Sequence, residues 1–414
     1  MRQDEFQRFE KAVAELEDRA RSYGLDFFPM RYELCPADVV YSIAGFGMPT
    51  RFSHWSFGKH YYRQKLDFDF GMSRIYELVV NNNPCYAFFL DSNTILQNET
   101  IIAHVLGHSD FFKNNSQFAN TNRQMVETMA ATADRFREYE EKYGIEVVED
   151  VIDAAMAIAE HIDPFVKSNL SDDDDVLKEP EKDLIRFILT HNPKLAEWEQ
   201  DVLSSIRDEM LYFWPQIGTK IMNEGWATYW HNMLMEERDL GVEDAIEFAK
   251  MTASVSTPNK FHLNPYNVGL EIWKDIEKRY GREEMFVVRE CDSDISFLRN
   301  YLNQDVVDTC NLYLYEKRGD KWVIAERDYS VIRDRLVAER IHGGFPVLHV
   351  ESEDNMRGKL ILTHAYEGVE LDPKYTEKTL PHVYRLWGND VALRTKMNGL
   401  DVEYSYDGKG VRKG

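Results

Sequence analysis

The chain has 414 residues, with 72 acidic and 49 basic side chains and a formal net charge of −23 at pH 7. Hydrophobic residues make up 43% of the chain and aromatic residues 13%, so one large or two ordinary domains can form a substantial core. The acidity disfavours a nucleic-acid partner, because phosphate binding needs a basic surface. No apolar run reaches the roughly 18 residues that a membrane span needs, so we expect no membrane span.

Cysteine usage and the N-terminal stretch indicate a cytoplasmic protein. Four cysteines, Cys35, Cys85, Cys291 and Cys310, are scattered without CxxC spacing, which argues against a cysteine metal site. The first twenty residues are charged and have helical periodicity, unlike the apolar core of a signal peptide. Few cysteines and no export signal predict a reducing cytoplasm.

Helical periodicity dominates the first 283 residues. An amphipathic helix is predicted over residues 3–23, and a short apolar strand over Cys85–Leu90. The polar run at residues 171–175 predicts a mobile loop, and Pro215 is expected to end the helix that precedes residue 219. Further helices are predicted over residues 121–162, 183–190, 194–213, 219–238 and 241–281.

After residue 285 the pattern changes to short strands separated by helices. Strands are predicted over residues 312–315, 322–325, 347–350, 360–364, 391–396 and 402–405, with helices over 331–341 and 373–387. This ββαββαββ order predicts an internal ββα repeat of about 45 residues. The predicted fold class is therefore α+β, with a mainly α-helical N-terminal domain over 1–283 and a smaller α+β C-terminal domain over 284–414.

Two histidines lie four residues apart in the stretch IIAHVLGHSDFFKNN. A capping box at Thr94 and Gln97 favours a helix here, so His104 and His108 leave one face a turn apart. Two such nitrogens can reach one metal ion, as in the two-histidine helix of zinc hydrolases. Gly107 costs helix stability, roughly 1 kcal/mol against Ala, which is tolerated if another backbone approaches beside His108.

A second stretch, NEGWATYWH, places Glu224 and His231 seven residues apart on a helix face. A carboxylate from a separate downstream helix completes the two-histidine zinc site of gluzincin enzymes. We therefore expect His104, His108 and Glu224 to bind one divalent metal ion, with zinc the expected ion, in a zincin-like core. The preceding Cys85–Leu90 strand fits the substrate-binding edge of such enzymes. His231 is then a fourth ligand or a donor to the transition state; alternatively, Glu224 is a salt-bridge partner and His231 a core residue.

The general base of ordinary zinc peptidases is absent from the histidine helix. In HExxH a glutamate follows the first histidine, whereas Val105 occupies that position here. Proton transfer must therefore come from elsewhere if the site is catalytic. His231 is the first choice because an imidazole titrates near neutrality, and Asp110 is the second. Glu99 and Glu127 are weaker candidates.

Two polar segments ahead of the histidine helix have two interpretations each. Residues 54–60 mix aromatic rings with His54, Lys59 and His60, which suits a pocket wall or an aromatic cover over the core. Residues 81–83 are three asparagines that could hydrogen-bond loop backbone or bind a polar substrate.

Several long motifs resemble the SpoVR (stage V sporulation protein R) family in order over nearly the whole chain. They are HWSFGK, YELVVNNNPCYAFFL, IIAHVLGHSDFFKNN, KIMNEGWATYWH and NPYNVGLEIWKDIEKRYG. The resemblance implies a link to spore cortex formation in endospore formers, although the family also occurs in bacteria and archaea that form no spores. It implies no ligand residues, so the metal site is predicted from spacing.

Two functions are compatible with these observations. The first is a metal-dependent hydrolase acting on an amide in cell-wall or peptide material, a substrate class suggested only by the family context. The second is a non-catalytic regulator or scaffold that keeps a degenerate zincin-like core and binds a protein partner. Val105 favours the second function, whereas residues 54–60 and 81–83 favour the first.

Overall fold

The computed structural model describes residues 3–69, 77–165, 181–238, 240–258, 261–351 and 358–414. Within these ranges the chain forms sixteen α-helices and ten β-strands, so the predicted α+β class is confirmed. The predicted loop at residues 171–175 lies outside the described ranges.

The helices, in chain order, are α1 (Gln3–Ser22), α2 (Ala37–Phe46), α3 (Trp55–Asp69), α4 (Ile95–Asn114), α5 (Met125–Tyr143), α6 (Ile145–Met156), α7 (Leu184–His191), α8 (Glu197–Gly218), α9 (Lys220–Glu236), α10 (Val242–Ser256), α11 (Pro265–Tyr280), α12 (Arg282–Cys291), α13 (Asp294–Tyr301), α14 (Gln304–Cys310), α15 (Tyr329–Ala338) and α16 (Pro373–Trp387). The strands are β1 (Met30–Cys35), β2 (Glu77–Val80), β3 (Cys85–Leu90), β4 (Leu314–Arg318), β5 (Lys321–Glu326), β6 (Leu348–Val350), β7 (Leu360–His364), β8 (Val391–Met397), β9 (Leu400–Tyr406) and β10 (Val411–Lys413).

The chain divides into two compact units that are each built from separated segments. The first unit contains Met1–Arg51, Trp55–Glu127 and Pro215–Ile341, and the second contains Phe52–His54, Thr128–Trp214 and His342–Gly414. Residues 284–341 therefore group with the preceding helices α9 to α11, whereas the last residues group with α6 and α7. The domain boundary after residue 283 stays a prediction.

The first unit packs its helices around a core that includes a three-stranded sheet. In this sheet β3 is central, with β1 parallel on one side and β2 antiparallel on the other. Helix α9 packs against α4 and against α11, and apolar side chains of these three helices form the centre of the core. The strand predicted over Cys85–Leu90 is observed with the predicted limits.

The second unit combines helices with a five-stranded sheet in the order β10-β9-β8-β7-β6. Strands β7 and β8 are parallel, and the other neighbours in the sheet are antiparallel. Helix α16 packs on β8, β9 and α6. The predicted ββαββαββ order is present, but β4 and β5 form their own hairpin in the first unit. An internal repeat therefore stays a prediction.

One predicted helix end is wrong. Helix α8 continues through Pro215 to Gly218 instead of ending before the proline. A proline inside a helix removes one backbone hydrogen bond, at a cost of about 3 kcal/mol that tertiary packing can offset. Pro215 is buried, and its carbonyl accepts a hydrogen bond from the Thr219 hydroxyl at 2.6 Å.

Candidate metal centre

Helix α4 carries the two predicted ligand histidines and begins at the predicted capping box. The Gln97 amide donates to the Thr94 hydroxyl at 3.2 Å, and the Thr94 amide donates to the Gln97 side chain at 2.9 Å. The helix is buried almost throughout from residue 98 to residue 112. Both histidines are therefore in the interior of the first unit, where unpaired polar groups are costly.

Glycines let α9 lie in backbone contact with two neighbouring helices. A Cβ on Gly107 would lie 2.7 Å from the Cα of Ala227, so no side chain fits between α4 and α9. On the other side, a Cβ on Gly225 would lie 2.3 Å from the carbonyl carbon of Gly269 on α11. The expectation that another backbone approaches at Gly107 is confirmed. These contacts hold Glu224 opposite the histidines.

The predicted metal ligands converge. The Nε2 atoms of His104 and His108 lie 3.1 Å apart, and Glu224 Oε2 lies 3.9 Å and 3.5 Å from them. One donor atom from each residue lies within 4.8 Å of the other two. Among the described residues, this is the only group of three or more His, Cys, Asp or Glu side chains with such spacing.

The outer nitrogens of both histidines have partners on α9. The Nδ1 of His108 donates to the Oδ1 of Asn223 at 2.9 Å, which leaves a lone pair on the Nε2 of His108. The Nδ1 of His104 lies 3.0 Å from the Nδ1 of His231. Partners of this kind orient the ligating nitrogen in metal sites.

The protonation states suit a cation. Burial and the nearby His104 lower the pKa of His108 to about 4, so its imidazole is neutral at physiological pH. Burial by itself would raise the pKa of Glu224, but His104, His108 and Tyr266 together lower it, so the carboxylate is ionised. Neutral imidazole and ionised carboxylate are the forms that bind metal ions.

These residues fit a divalent ion. Two imidazole nitrogens at about 2.0–2.1 Å from one zinc ion lie about 2.9–3.4 Å apart when the angle between the bonds is about 90–110°. The observed 3.1 Å separation falls in that range. Glu224 Oε2 is buried and makes no hydrogen bond among the described residues, which is a costly state without a cation nearby.

His231 lies beside the cluster without belonging to it. Its Nδ1 faces His104, and its buried Nε2 has no hydrogen-bond partner in the described part of the chain. Burial and the neighbouring His104 lower the pKa of His231 well below its ordinary value, so the ring is neutral. A cavity opens over His104 and Glu224, and His231 lines it as well, so its ring can meet a ligand there.

Asp110 is held away from the ligand group by structural contacts. Its Oδ1 accepts from the Asp26 amide at 2.8 Å, and its Oδ2 accepts from the Trp226 indole at 2.9 Å. The Nη1 of Arg289 donates to both oxygens at 3.0 and 3.1 Å. Asp110 is fully buried and does not line the cavity. These contacts give Asp110 a structural role, although the sequence made it the second candidate for proton transfer.

The weaker candidates for a base are also occupied elsewhere. The Glu99 carboxylate accepts from Arg238 at 3.2 Å, and the Glu127 carboxylate accepts from the Asn82 side chain at 3.3 Å. Neither glutamate belongs to the ligand group or lines the cavity.

The two polar segments support the fold and do not line the cavity. Asn82 accepts from the Val126 amide at 3.3 Å, and Asn81 accepts from the Arg123 guanidinium at 2.5 Å. His54 lies 2.9 Å from an Asp153 carboxylate oxygen in the second unit, and α3 begins at Trp55. These contacts agree with a structural role for residues 54–60 and 81–83 rather than with a role in a pocket wall or in substrate binding.

A cavity of about 940 Å³ opens over His104, Glu224 and His231. Its described walls come from α4, α9, the end of α10, residues 257, 258 and 262–264, and the start of α11. The sheet contributes no described wall residue, so the substrate-binding strand edge of a zincin stays a prediction.

Two wall residues, Tyr266 and Lys220, were not predicted from the sequence. The Tyr266 ring stacks on His104, with centroids 6.2 Å apart and planes at 21°. Asn264 caps α11 by accepting from the Tyr266 amide at 3.1 Å, and Pro265 occupies the first turn. The Asn-Pro start of α11 was visible in the sequence as a cap signal. The i,i+4 spacing of Lys220 and Glu224 was also visible, but neither signal indicates a cavity.

Family models match the chain from near its start to residue 398. The model described as SpoVR like protein matches residues 3–174 and 166–345, and the model described as SpoVR-like C-terminal domain matches residues 346–398. The chain belongs to the SpoVR-like family. The predicted family resemblance is therefore confirmed.

A relative in Escherichia coli strain K12 supports the same family assignment. The protein YcgB, described as uncharacterized, is 26% identical over 472 aligned positions, which cover 94% of this chain and 92% of YcgB. No solved structure gives a significant match. None of the described helices in this SpoVR-like chain is both long and apolar enough to cross a bilayer.

Proposed function

We propose that this SpoVR-like protein is a metal-dependent amide hydrolase with a zincin-like core. His104, His108 and Glu224 would hold one divalent ion, and zinc is the expected ion. The observation that carries the proposal is the pair of Nε2 atoms 3.1 Å apart, opposite the half-buried Glu224 carboxylate in the wall of a large cavity. Two histidines on one helix and a carboxylate on a later helix are the ligand set of gluzincin enzymes.

When bound, a divalent ion supplies Lewis acidity to a carbonyl group and lowers the pKa of water. The chain's own residues would orient the ligands and exclude water. Asn223 fixes the His108 tautomer, and the Tyr266 ring covers one face of His104. The buried α4–α9 contact keeps the donor atoms in place before a substrate arrives, which lowers the cost of reorganisation.

We propose that His231 donates a hydrogen bond in the transition state. If Nε2 of His104 is a ligand, its Nδ1 carries the hydrogen and donates to the Nδ1 of His231. The hydrogen of His231 then lies on Nε2, which has no described partner and can face an oxyanion. Proton transfer through His231 is the alternative, because Val105 supplies no base.

Two variants of His231 separate these roles. We expect His231→Ala to keep the metal and lose about 10²-fold in activity, because a transition-state donor is removed. His231→Gln should recover part of that loss, because an amide can donate but cannot accept and release a proton at neutral pH. Equal losses in both variants would assign His231 to proton transfer instead. Loss of metal in His231→Ala would make His231 a ligand.

Metal analysis of protein purified without an affinity His tag tests the proposal directly. We expect about one equivalent of divalent metal per wild-type chain and a large loss of metal in His104→Ala. His60→Ala is the matched control, since His60 is an exposed histidine on α3 outside the ligand group. Loaded wild-type protein would then be incubated with peptides and cell-wall fragments, and new amines or carboxylates measured by mass spectrometry.

The alternative function is a non-catalytic regulator or scaffold with a degenerate zincin-like core. Val105 is the observation that favours it, because the position of the usual general base is apolar and buried. A chain without bound metal, and a His104→Ala strain with unchanged cellular function, would support the scaffold. Hydrolysis that depends on the loaded metal would exclude it.

Several sequence-based expectations remain part of the proposal. The substrate class, an amide in cell-wall or peptide material, and the link to spore cortex formation rest on the family context. Cytoplasmic location rests on cysteine usage, and the absence of a nucleic-acid partner rests on the net charge of −23. The ββα duplication in residues 284–414 rests on the order of its elements.

A further inference from the structure

The cavity over the candidate metal centre has an unusual charge for so acidic a chain. Its described wall contains one carboxylate, Glu224, together with the basic side chains of Lys220 and His262. The whole chain, in contrast, carries 72 acidic and 49 basic side chains. With a divalent cation at Glu224, the described wall has a net positive charge, so it attracts an anionic ligand.

Lys220 is placed to act beside the metal ligands. It is the first residue of α9 and lies one turn before Glu224, so their Cβ atoms are about 5–6 Å apart on one face. Lys220 is exposed and has no described carboxylate within ion-pair distance, although its charge interacts with the buried Asp294 at longer range. Its ammonium group is therefore available at the mouth of the cavity.

The backbone at the start of α9 does not compete for the same anion. Asp294 accepts hydrogen bonds from the amides of Ile221 and Met222, both at 2.9 Å. These amides are the usual anion-binding groups of a helix start, and here a buried carboxylate occupies them. The lysine side chain is consequently the group at this end of α9 that can bind an external anion.

We propose that the cavity selects an amide substrate that carries a carboxylate, and that Lys220 binds this carboxylate. The inference rests on the proposed hydrolase function and specifies its substrate class. Lys220 lies about one helical turn from the metal ligand Glu224. The bound carboxylate of the substrate would therefore be a few covalent bonds from the amide at the metal ion. The cavity wall also provides apolar surface for the rest of the substrate, around its carboxylate and amide groups. This surface comes from Met251, Val255 and Leu263.

Two hydroxamate probes test the charge preference on the full-length, zinc-loaded protein. Succinate monohydroxamate carries a free carboxylate, and its matched carboxamide has nearly the same size without the charge. We expect calorimetry to give about fivefold tighter binding for the carboxylate probe, the scale of a partly exposed ion pair. In Lys220→Met most of this preference should be lost, with the zinc content unchanged.

Lys278→Met is the charge-matched control. Lys278 is an exposed lysine on α11 that does not line the cavity, so its loss changes the net charge equally but should keep the preference. Equal binding of both probes to wild type, or a preference as large in Lys220→Met as in wild type, would overturn the inference while leaving the metal site intact. Failure of both probes to bind the zinc-loaded chain would instead count against the proposed function, and the inference would fail with it.

Discussion

Asn223 on α9 accepts a hydrogen bond from His108 on α4, with 2.9 Å between Oδ1 and Nδ1. Asn223 directly precedes Glu224, so one turn of α9 provides both a ligand candidate and the group that orients another. The contact requires the hydrogen of His108 on Nδ1, which directs the lone pair of Nε2 toward His104.

Loss of the Asn223 contact should weaken metal binding without abolishing it. We expect Asn223→Ala to lower zinc affinity about 10- to 100-fold, the usual effect of removing a group that orients a ligand histidine. Asn223→Asp should keep the affinity or increase it, because a carboxylate accepts the same hydrogen bond more strongly. Competition with a chromophoric chelator measures both. Wild-type affinity in Asn223→Ala would contradict the assigned role.

A methyl group at Gly107 should separate the helices that carry the ligands. The added Cβ would lie 2.7 Å from Ala227, so α4 and α9 must move apart. We expect Gly107→Ala to lower the free energy of unfolding by about 1–3 kcal/mol or more, and to reduce zinc affinity. Gly58→Ala on α3 is the control, because its Cβ meets nothing within 4 Å. There, a small gain in helix stability is expected. Equal behaviour of the two variants in urea unfolding would refute this prediction.

Replacement of Asp110 should affect stability rather than chemistry. The ion pair between Asp110 and Arg289 is buried. Loss of the carboxylate would leave a buried guanidinium unpaired, which destabilises the folded state. We expect Asp110→Asn to lower the free energy of unfolding by about 3–5 kcal/mol, while the folded fraction still binds zinc. The double variant Asp110→Asn, Arg289→Met should be less unstable than the sum of the single variants. A variant of normal stability that binds zinc but has lost activity would return Asp110 to the list of catalytic candidates.

Asp294 should make stability depend on pH in an unusual direction. Burial raises its pKa to about 7, against about 3.9 for an unfolded aspartate. The folded chain therefore binds this proton more tightly, so the stabilisation is complete below about pH 4 and is lost as the pH rises through about 7. The slope from this group is at most about 1.4 kcal/mol per pH unit.

Urea unfolding of wild type and Asp294→Asn at pH 4.5, 6 and 7.5 isolates this contribution. We expect the free-energy difference between the two proteins to shrink as the pH rises, since only the wild type has the titrating group. A difference that is constant with pH would show that the Asp294 carboxyl has an ordinary pKa. Zinc content at pH 7.5 reports whether the start of α9 still positions Glu224.

Structural elements that depend on neighbouring residues were predicted correctly from the sequence. The Thr94 capping box, the strand Cys85–Leu90 and the helix Pro373–Trp387 were predictable because caps and hydrophobic periods act over a few residues. Other local expectations failed where packing outweighs propensity, as at Pro215 inside α8. Helices α2 and α3 were not predicted, because their aromatic and polar residues give a weak period.

The sequence by itself determined the family, the α+β class and the identity of the three ligand candidates. The histidine pair was predictable because His104 and His108 are one turn apart on the same helix, and helix geometry directs both side chains to one face. Only the tertiary structure decided that Glu224 lies opposite them, that Asp110 is paired with Arg289, and that Lys220 borders the same cavity. These contacts join segments that are far apart in the chain, so no local preference fixes them. The approach of α9 to α4 is set by packing at Gly107, and its approach to α11 by packing at Gly225.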